Sequence, residues 1–392
     1  MKKEQIVDIF LKKGMSIDSK GLDYFYEKPE QIDIFLEKVK ELKETPATVG
    51  VELIKNILVK FPIEIEEIKT QISAKKIISV DDVSRTLVER YEKIKKIFST
   101  RLDLVNPVSI NKINPKTKRF SLVVMVKEKD EKNKTLVVED LTGEMTIDGG
   151  NIDFDLILPD EVLGLVCEGN GEIKAVSLLW PDIPMKRDIP KTEEGIFCIF
   201  LSNLHLEQDF DGKTQKILKE IQQLNYKQLL VFLFSESSND KKTLENFIKK
   251  LPSDSRVIII QKSTESLGVE NAICFSSPAL LNIDKKIRIL LCDGEMFSTY
   301  KNIWVSKKSE EIMLNLLKKR HLDPIFALEK ALIEDQLIID TVPDIFVSGK
   351  FNSPGMMNYK GTTIISCGSF STEPVYWIVN LGTRECIKAN LV

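Results

Sequence analysis

Residues 195–206, Gly-Ile-Phe-Cys-Ile-Phe-Leu-Ser-Asn-Leu-His-Leu, form the stretch whose reading decides the fold. Seven residues without a charge, Gly195 to Leu201, give way at once to a polar loop, Ser202-Asn203-Leu204-His205. A strand with one solvated face alternates in polarity. A continuous apolar run flanked by turn residues reads instead as a strand buried on both faces. The same kind of run recurs at Leu229–Phe234, Val257–Ile260 and Ile287–Leu291, then at Ile345–Val347, Thr362–Ile365 and Val375–Val379. Helical spacing fills some of the intervals, as in Thr214–Leu224 and Lys242–Leu251. Apolar strands joined by helical crossovers predict a sheet covered by helices, with any ligand held in the loops beyond the strand ends.

Those loops are where chemistry is expected. Behind the first strand, an Asp two residues ahead of His205 would set a carboxylate beside an imidazole, a pair suited to a hydrolytic metal. The chain has Asn203 there, an uncharged and weaker ligand. The second strand ends Ser235-Glu236-Ser237, where a bridging Asp would neutralise two cations; Glu236 is longer. The third ends in the Lys262–Thr264 segment, with neither the Asn nor the His a metal would want. The fourth ends Cys292-Asp293-Gly294, with Asp293 in a histidine position. The fifth reads Gly349-Lys350-Phe351-Asn352, where a G-H-x-H loop would supply two imidazoles. A permanent cation at Lys350 repels a metal and can stand in for its charge. Too few ligands remain for two cations, so the expectation is a relic site with no metal and no cofactor, set against an altered but live one.

Upstream, the pattern to about Leu102 is helical, with Ile6, Ile9, Phe10 and Leu11 and then Ile32, Phe35, Val39 and Leu42 at helical spacing. Ser79 or Asp81 is a candidate cap for a further helix ending near Leu102. Near Val105 the period changes. Phe120–Val126, Thr135–Val138, Val162–Val166 and Ile173–Leu179 read as short strands of a small barrel or sandwich. Trp180 to Pro190, rich in proline, reads as a linker. Three regions are therefore expected: 1–102 helical, 103–190 a β-barrel with its linker, and 191–392 the α/β region, an α+β multidomain chain overall.

Composition narrows the function classes. The 392 residues carry 56 basic and 59 acidic side chains, a net charge of −3, so the chain as a whole lacks the basic excess of a nucleic-acid-binding protein. Six cysteines (Cys167, Cys198, Cys274, Cys292, Cys367 and Cys386) are scattered without a CxxC pair, which fits free thiols in a reducing cytoplasm. No apolar run reaches membrane-spanning length, and no secretory core follows the charged N-terminus. A basic turn, Lys112, Lys116, Lys118 and Arg119, is a candidate contact for a nucleic-acid backbone, against the commoner reading of a solvated hairpin end. His321, closing a helical stretch, reads as structural, as a cation favoured at a helix C-terminus.

Taken in order, the helical region, the barrel segment Leu158–Val166 (LPDEVLGLV), the strand leading to Ser202–Leu206, and residues 320–326, 334–352 and 359–370 resemble the small subunits of the archaeal D-family DNA polymerase, relatives of the eukaryotic replicative polymerase B subunits. The likeness spans about residues 80 to 380. It implies an oligonucleotide-binding fold in the barrel region and a calcineurin-like phosphoesterase domain beyond it, which in the usual archaeal subunit is a metal-dependent 3′–5′ exonuclease. It carries the metal ligands onto Asn203, His205, Glu236, the Lys262–Thr264 segment, Asp293, Lys350 and Asn352, of which only His205 is kept outright. The implied role is a non-catalytic accessory subunit, in the cytoplasm at the nucleoid, that stabilises and orients the large catalytic subunit on primer–template DNA. DNA contact would be weak or indirect, and a sliding clamp would be met only through the complex. Two rival readings are a residual Mn²⁺-dependent exonuclease and an independent single-strand DNA-binding protein.

Overall fold

In the computed structural model the described residues are all but 1, 30, 41–45, 52, 55–62, 71–78, 115–116, 171, 193–194, 205, 207–211, 225, 227, 235–240, 253–254, 263–267, 270, 326–334, 352 and 392. The chain divides into two compact units, the first formed mainly by residues 1–64. That unit holds helices α1 (Lys3–Leu11), α2 (Ser19–Glu27) and α3 (Gln31–Lys40), with a short parallel pair, β1 (Ser16–Ile17) and β2 (Thr48–Val49). Its core takes Ile6, Phe10, Ile32, Phe35 and Val39 from the helical pattern read in the sequence. It adds Phe25 and Val49, which that reading missed, while Leu11 is exposed and Leu42 lies outside the described residues. Phe10, Phe25 and Phe35 pack ring to ring at 5.2–5.8 Å, with Ile6, Val39 and Val49 around them. Asp18 caps α2 by accepting from the Gly21 N–H.

The second unit begins at Ile65, well ahead of the boundary expected near 102. Residues Ile65–Thr70, expected to be helical, form strand β3, which pairs with a strand about 210 residues later in sequence, β13 (Ala279–Ile283). The Ile-Glu-Glu-Ile-Lys-Thr pattern of β3 has the charge that blunts an edge strand. Helix α4 (Val80–Phe98) starts at the Ser79 cap, which accepts from the Asp82 N–H at 3.2 Å.

The barrel consists of β4 (Arg119–Asp130), β5 (Thr135–Asp140), β6 (Gly143–Asp148), β7 (Val162–Asn170) and β8 (Glu172–Leu179), closed in the order β4-β5-β6-β8-β7. The apolar run 120–126 is explained by burial on both of its faces. Leu122, Val124 and Val126 fill the barrel, while Val123 and Met125 pack outward under Tyr91, Ile94 and Phe98 of α4. A Cβ at Gly164 would come within 3.0 Å of Phe98, so glycine allows the helix to lie close on β7.

The remaining body has two sheets. One runs β12-β11-β10-β9-β18-β19, from β9 (Phe197–Ser202), β10 (Leu229–Phe234), β11 (Arg256–Gln261), β12 (Ala272–Ser276), β18 (Val375–Asn380) and β19 (Cys386–Asn390). The other runs β16-β17-β15-β14-β13-β3, adding β14 (Ile287–Cys292), β15 (Ile345–Ser348), β16 (Gly355–Tyr359) and β17 (Thr362–Ser366). β9 to β12 are parallel in sequence order, with α5 (Lys213–Gln223) and α6 (Lys241–Ile248) in the first two crossovers. Helices α7 (Ser298–Ile303) and α8 (Ser309–Lys319) contribute Tyr300, Ile312, Met313 and Leu316 to a core shared with Phe346, Ile364 and, from the barrel side, Leu158.

Buried charges tie the barrel, α4 and this body together. Arg90 of α4 donates through Nε to Asp335 Oδ2 at 2.6 Å, and through Nη1 to the carbonyls of Asp160 and Pro324. Both partners of the Arg90–Asp335 pair are 4% exposed. Nearby, the Lys319 ammonium lies 2.5 Å from the Glu161 carboxylate, 4.6 Å from the centre of the Trp180 ring and 2.8 Å from the Leu156 carbonyl. The segment expected to be a linker is pinned. Asp182 accepts from Tyr359 and Lys360, and Arg187 reaches Asp344, Thr362 and the Pro343 carbonyl.

His321 is structural, as expected, but not as a cation. Its Nδ1 accepts the Asp323 N–H at 3.1 Å, so Nε2 carries the proton and donates to Asp335 at 2.9 Å, the neutral form. Burial pushes the imidazole below its ordinary value, against the pull of Asp335. Burial works against Asp335 ionising, yet His321 and Arg90 hold its carboxyl well below the usual range.

Two predictions come from this network. Arg90→Ala leaves the Asp335 carboxylate buried without its cation and should cost about 3–5 kcal/mol in denaturant unfolding of the second unit. The pH dependence has a definite sign. The unfolded state takes up a proton at His321 below its ordinary value near 6.5, while the folded state resists it, so stability falls as pH falls. Between pH 6.5 and 5.5 the loss from this site reaches at most about 1.4 kcal/mol. His321→Gln should flatten that part of the profile. The depressed Asp335 adds a second loss only below its unfolded value near pH 4.

Candidate functional site

Four strand ends meet where the sequence placed its candidate loops: β9 at Ser202, β10 at Phe234, β14 at Cys292 and β15 at Ser348. Glycine makes the meeting possible. Gly294 has φ +84°, and a Cβ there would sit 1.8 Å from the Gly349 carbonyl oxygen. A Cβ on Gly349 would sit 2.4 Å from the Phe234 ring. Hydrogen bonds then tie loop to loop. The Gly349 N–H donates to the Cys292 carbonyl at 2.8 Å, the Lys350 N–H to Ser202 Oγ at 2.5 Å, and the Phe370 N–H to the Ser202 carbonyl at 3.0 Å.

Asn203 and Lys350, both in the left-handed region at φ 58° and 42°, follow directly. Asn203 Nδ2 donates to Ser369 Oγ at 2.5 Å, and Ser371 Oγ is 3.5 Å away. Among the described residues its buried Oδ1 has no hydrogen-bond partner. Asp293 is buried; its N–H donates to Ser277 Oγ and its Oδ1 accepts the Glu295 N–H. Burial, then the Glu295 charge, raises the Asp293 carboxyl, while Lys350 and Lys262 act the other way. The Lys262 ammonium is itself paired with Glu295 at 2.9 Å.

The structure therefore gathers Asn203, Asp293, Lys262 and Lys350 around one set of strand ends. His205, Glu236, Asn352 and residues 263–264 lie outside the described residues. Sequence reading missed Ser202, Ser369, Ser371 and Glu295, which hold the loops. The runs of small residues after β15 and β17 were the available signal. Two metal ions do not suit the described part of this site. An amide engaged with serine, a carboxyl that burial disfavours as an anion, and two lysine cations stand where ligands are needed. Among the described residues no group of three His, Cys, Asp or Glu side chains is placed to hold a metal.

The other candidates are elsewhere. Lys112, Lys118 and Arg119 are exposed on the barrel, and Arg119 faces Glu168 at 3.3 Å, which offsets one of the three charges. Lys116 is outside the described residues.

Searched against family models, the sequence matches none. Among curated proteins it is 24% identical over 361 residues to the DNA polymerase II small subunit of Methanothermobacter thermautotrophicus, covering 75% of this chain and 73% of that protein. It is 21% identical to the protein of the same name from Thermoplasma acidophilum, covering 76% and 72%. It is 22% identical to that from Archaeoglobus fulgidus, covering 93% and 90%. The chain is a relative of the archaeal DNA polymerase II small subunits. Solved structures similar to half of it include a novel archaeal phosphodiesterase, at 12% identity and TM-score 0.32, covering 50% of this chain and all of that one. Another is vacuolar protein sorting 29 from Cryptosporidium parvum, at 12% identity and TM-score 0.30, covering 50% and 96%. Among the described residues no helix is long and apolar enough to cross a membrane.

The segments that carried the resemblance have a physical role in this chain. Leu158–Val166 supplies Glu161 to Lys319, and residues 335–352 supply Asp335 to Arg90 and Asp344 to Arg187. They hold the barrel, α4 and the two-sheet body together, so their role in this chain is in its interior.

The strand-end packing is testable. Gly349→Ala drives a methyl group into the Phe234 ring, and a shift of the ring costs about 1–3 kcal/mol. The variant should unfold at correspondingly lower urea than the parent, and Gly143→Ala, whose Cβ meets only Ile110 at 3.6 Å, should be much milder.

Proposed function

We propose that this chain is the non-catalytic small subunit of a D-family DNA polymerase, binding the large catalytic subunit and orienting it on primer–template DNA. The observation that carries the non-catalytic part is the strand-end site. Asn203 is committed to Ser369, and Lys350 follows the strand that would deliver imidazoles to a metal. Lys350 is within electrostatic reach of Asp293, and a cation there offsets carboxylate charge as a divalent ion would. Relationship to the polymerase small subunits supports the partner. The loop frame itself is intact, closed by Gly294, Gly349 and Ser202, which suits a domain kept for its shape. The barrel, under this reading, is the oligonucleotide-binding fold of the family, used against protein more than against DNA.

Co-expression with the large polymerase subunit of the same genome should give a stoichiometric complex through affinity and size-exclusion steps. Recovery of the two chains separately would sink the reading. A second assay addresses the site. The purified chain, with excess Mn²⁺ and a mismatched 3′-labelled primer, should leave the label intact, and His205→Ala should behave identically. Metal-dependent release of the terminal nucleotide, abolished in that variant, would restore the exonuclease reading.

A further inference from the structure

Helices α5 and α6 cover the same face of the sheet that contains β9, β10 and β11. The three strands are parallel and adjacent in sequence order, and right-handed crossovers place successive helices on one side. A hydrogen bond confirms it, since Gln222 Nε2 of α5 donates to the Lys250 carbonyl just past α6 at 2.7 Å. Ile217, Leu218 and Ile221, with Leu244, Phe247 and Ile248, turn inward. The outward faces carry Lys216, Lys219, Lys241, Lys242, Lys249 and Lys250, all exposed.

Residues 213–223 and 241–250 hold seven lysines and two glutamates, a net +5 in a chain whose net charge is −3. Both glutamates are engaged. Glu220 accepts from Tyr376, and Glu245 lies 3.8 Å from Lys241. The acids next in sequence, Glu207, Asp209, Asp211, Glu236 and Asp240 ahead of the helices and Asp254 after them, lie outside the described residues. Counted within the helix bounds alone, α5 carries +2 and α6 +1, and Lys249 and Lys250 follow α6 directly; the remaining described helices of eight residues or more lie between −1 and +1.

The helix dipole favours Lys249 and Lys250, just past the C-terminus of α6, but not the lysines at the helix starts. Lys213, Lys241 and Lys242 occupy first turns that hold no acid, where the helix dipole disfavours cations. A locally dense charge kept against the dipole and against self-repulsion fits a surface that meets a polyanion.

We propose that the exposed face of α5 and α6 is a docking surface for the phosphate backbone of DNA, distinct from the basic turn of the barrel. It deepens the reading of the chain as a polymerase subunit, since a duplex held by the complex is the polyanion in question. The interaction is electrostatic and sequence-independent: each lysine that neutralises a phosphate releases a counterion and makes binding fall with salt.

The test uses the full chain and a fluorescein-labelled primer–template, with anisotropy read from low to moderate salt. A variant carrying Lys219→Glu, Lys242→Glu, Lys249→Glu and Lys250→Glu should bind at least about tenfold more weakly at low salt, with the log–log salt slope falling by about 0.9 for each phosphate that is no longer neutralised. The matching Lys→Gln set, milder for folding, should show an intermediate loss with an unchanged melting temperature. Lys112→Glu with Lys118→Glu should leave affinity close to that of the parent. Absence of binding by the parent at low salt, or equal affinity in parent and quadruple variant, overturns the proposal. So does a variant that keeps its DNA affinity but no longer co-purifies with the large subunit, which would reassign the face to an acidic protein surface. The two readings fail separately. A parent chain that never joins the large subunit defeats the polymerase assignment, while the salt-dependent affinity and its loss in the variant still decide this surface.

Discussion

The guanidinium of Arg90 is the group on which the second unit depends. One planar group, carried by α4, donates to a carboxylate at the entry to β15, to a carbonyl in the barrel's β6–β7 connection and to a carbonyl beyond α8. All three acceptors are remote in sequence from Arg90. An ion pair this deep contributes little net attraction once both charges have been desolvated, but it strongly penalises any arrangement that separates its partners. The neutral His321 completes the arrangement by using both ring nitrogens, one as acceptor and one as donor. Lys319 and Glu161 repeat the logic a short way off, with Trp180 against the ammonium. Specific relative placement of barrel and body is what such buried polar groups supply, while Leu158, Phe297, Tyr300 and Phe346 supply the apolar area.

The strand-end site is held by a different set of interactions. The convergence of β9, β10, β14 and β15 is maintained by glycines and backbone hydrogen bonds, none of which requires a metal ion. Side chains at the rim are then under no obligation to be ligands. Asn203 turns to serines, Asp293 is burdened by burial and by Glu295, and Lys350 contributes positive charge of its own. The shape of the strand ends and the character of the rim are separable because the first rests mainly on main-chain atoms and the second on side chains.

Much of the architecture was legible in the sequence. The apolar runs at 197–201, 229–234, 257–260, 287–291, 345–347, 362–365 and 375–379 are all strands, because only doubly covered strands tolerate so little polarity. Helix α4 was legible too, with Ser79 and Asp81 as alternative caps, and the structure selects Ser79. In the two-sheet body the strands that escaped notice are β3, β12, β16 and β19, all at sheet edges, and the interior β13; β6 of the closed barrel and the short pair β1 and β2 escaped as well. The role of Trp180–Pro190 was misread because proline marks a segment outside regular structure, but carries no information about whether its side chains are pinned.

From the sequence alone came the strand inventory, the loops in which chemistry would sit, and the poverty of those loops in metal ligands, since residue type and local period suffice for each. Only the tertiary structure decided that His321 is neutral, that Ile65–Thr70 closes the edge of a sheet whose other strands come far later in the chain, that segments 158–166 and 335–352 supply interior fastenings, and that six exposed lysines of α5, α6 and the residues just past α6 lie on one side of a sheet. Each of these depends on which distant groups come within hydrogen-bonding or Coulombic range, and sequence separation says nothing about that distance until the chain is folded.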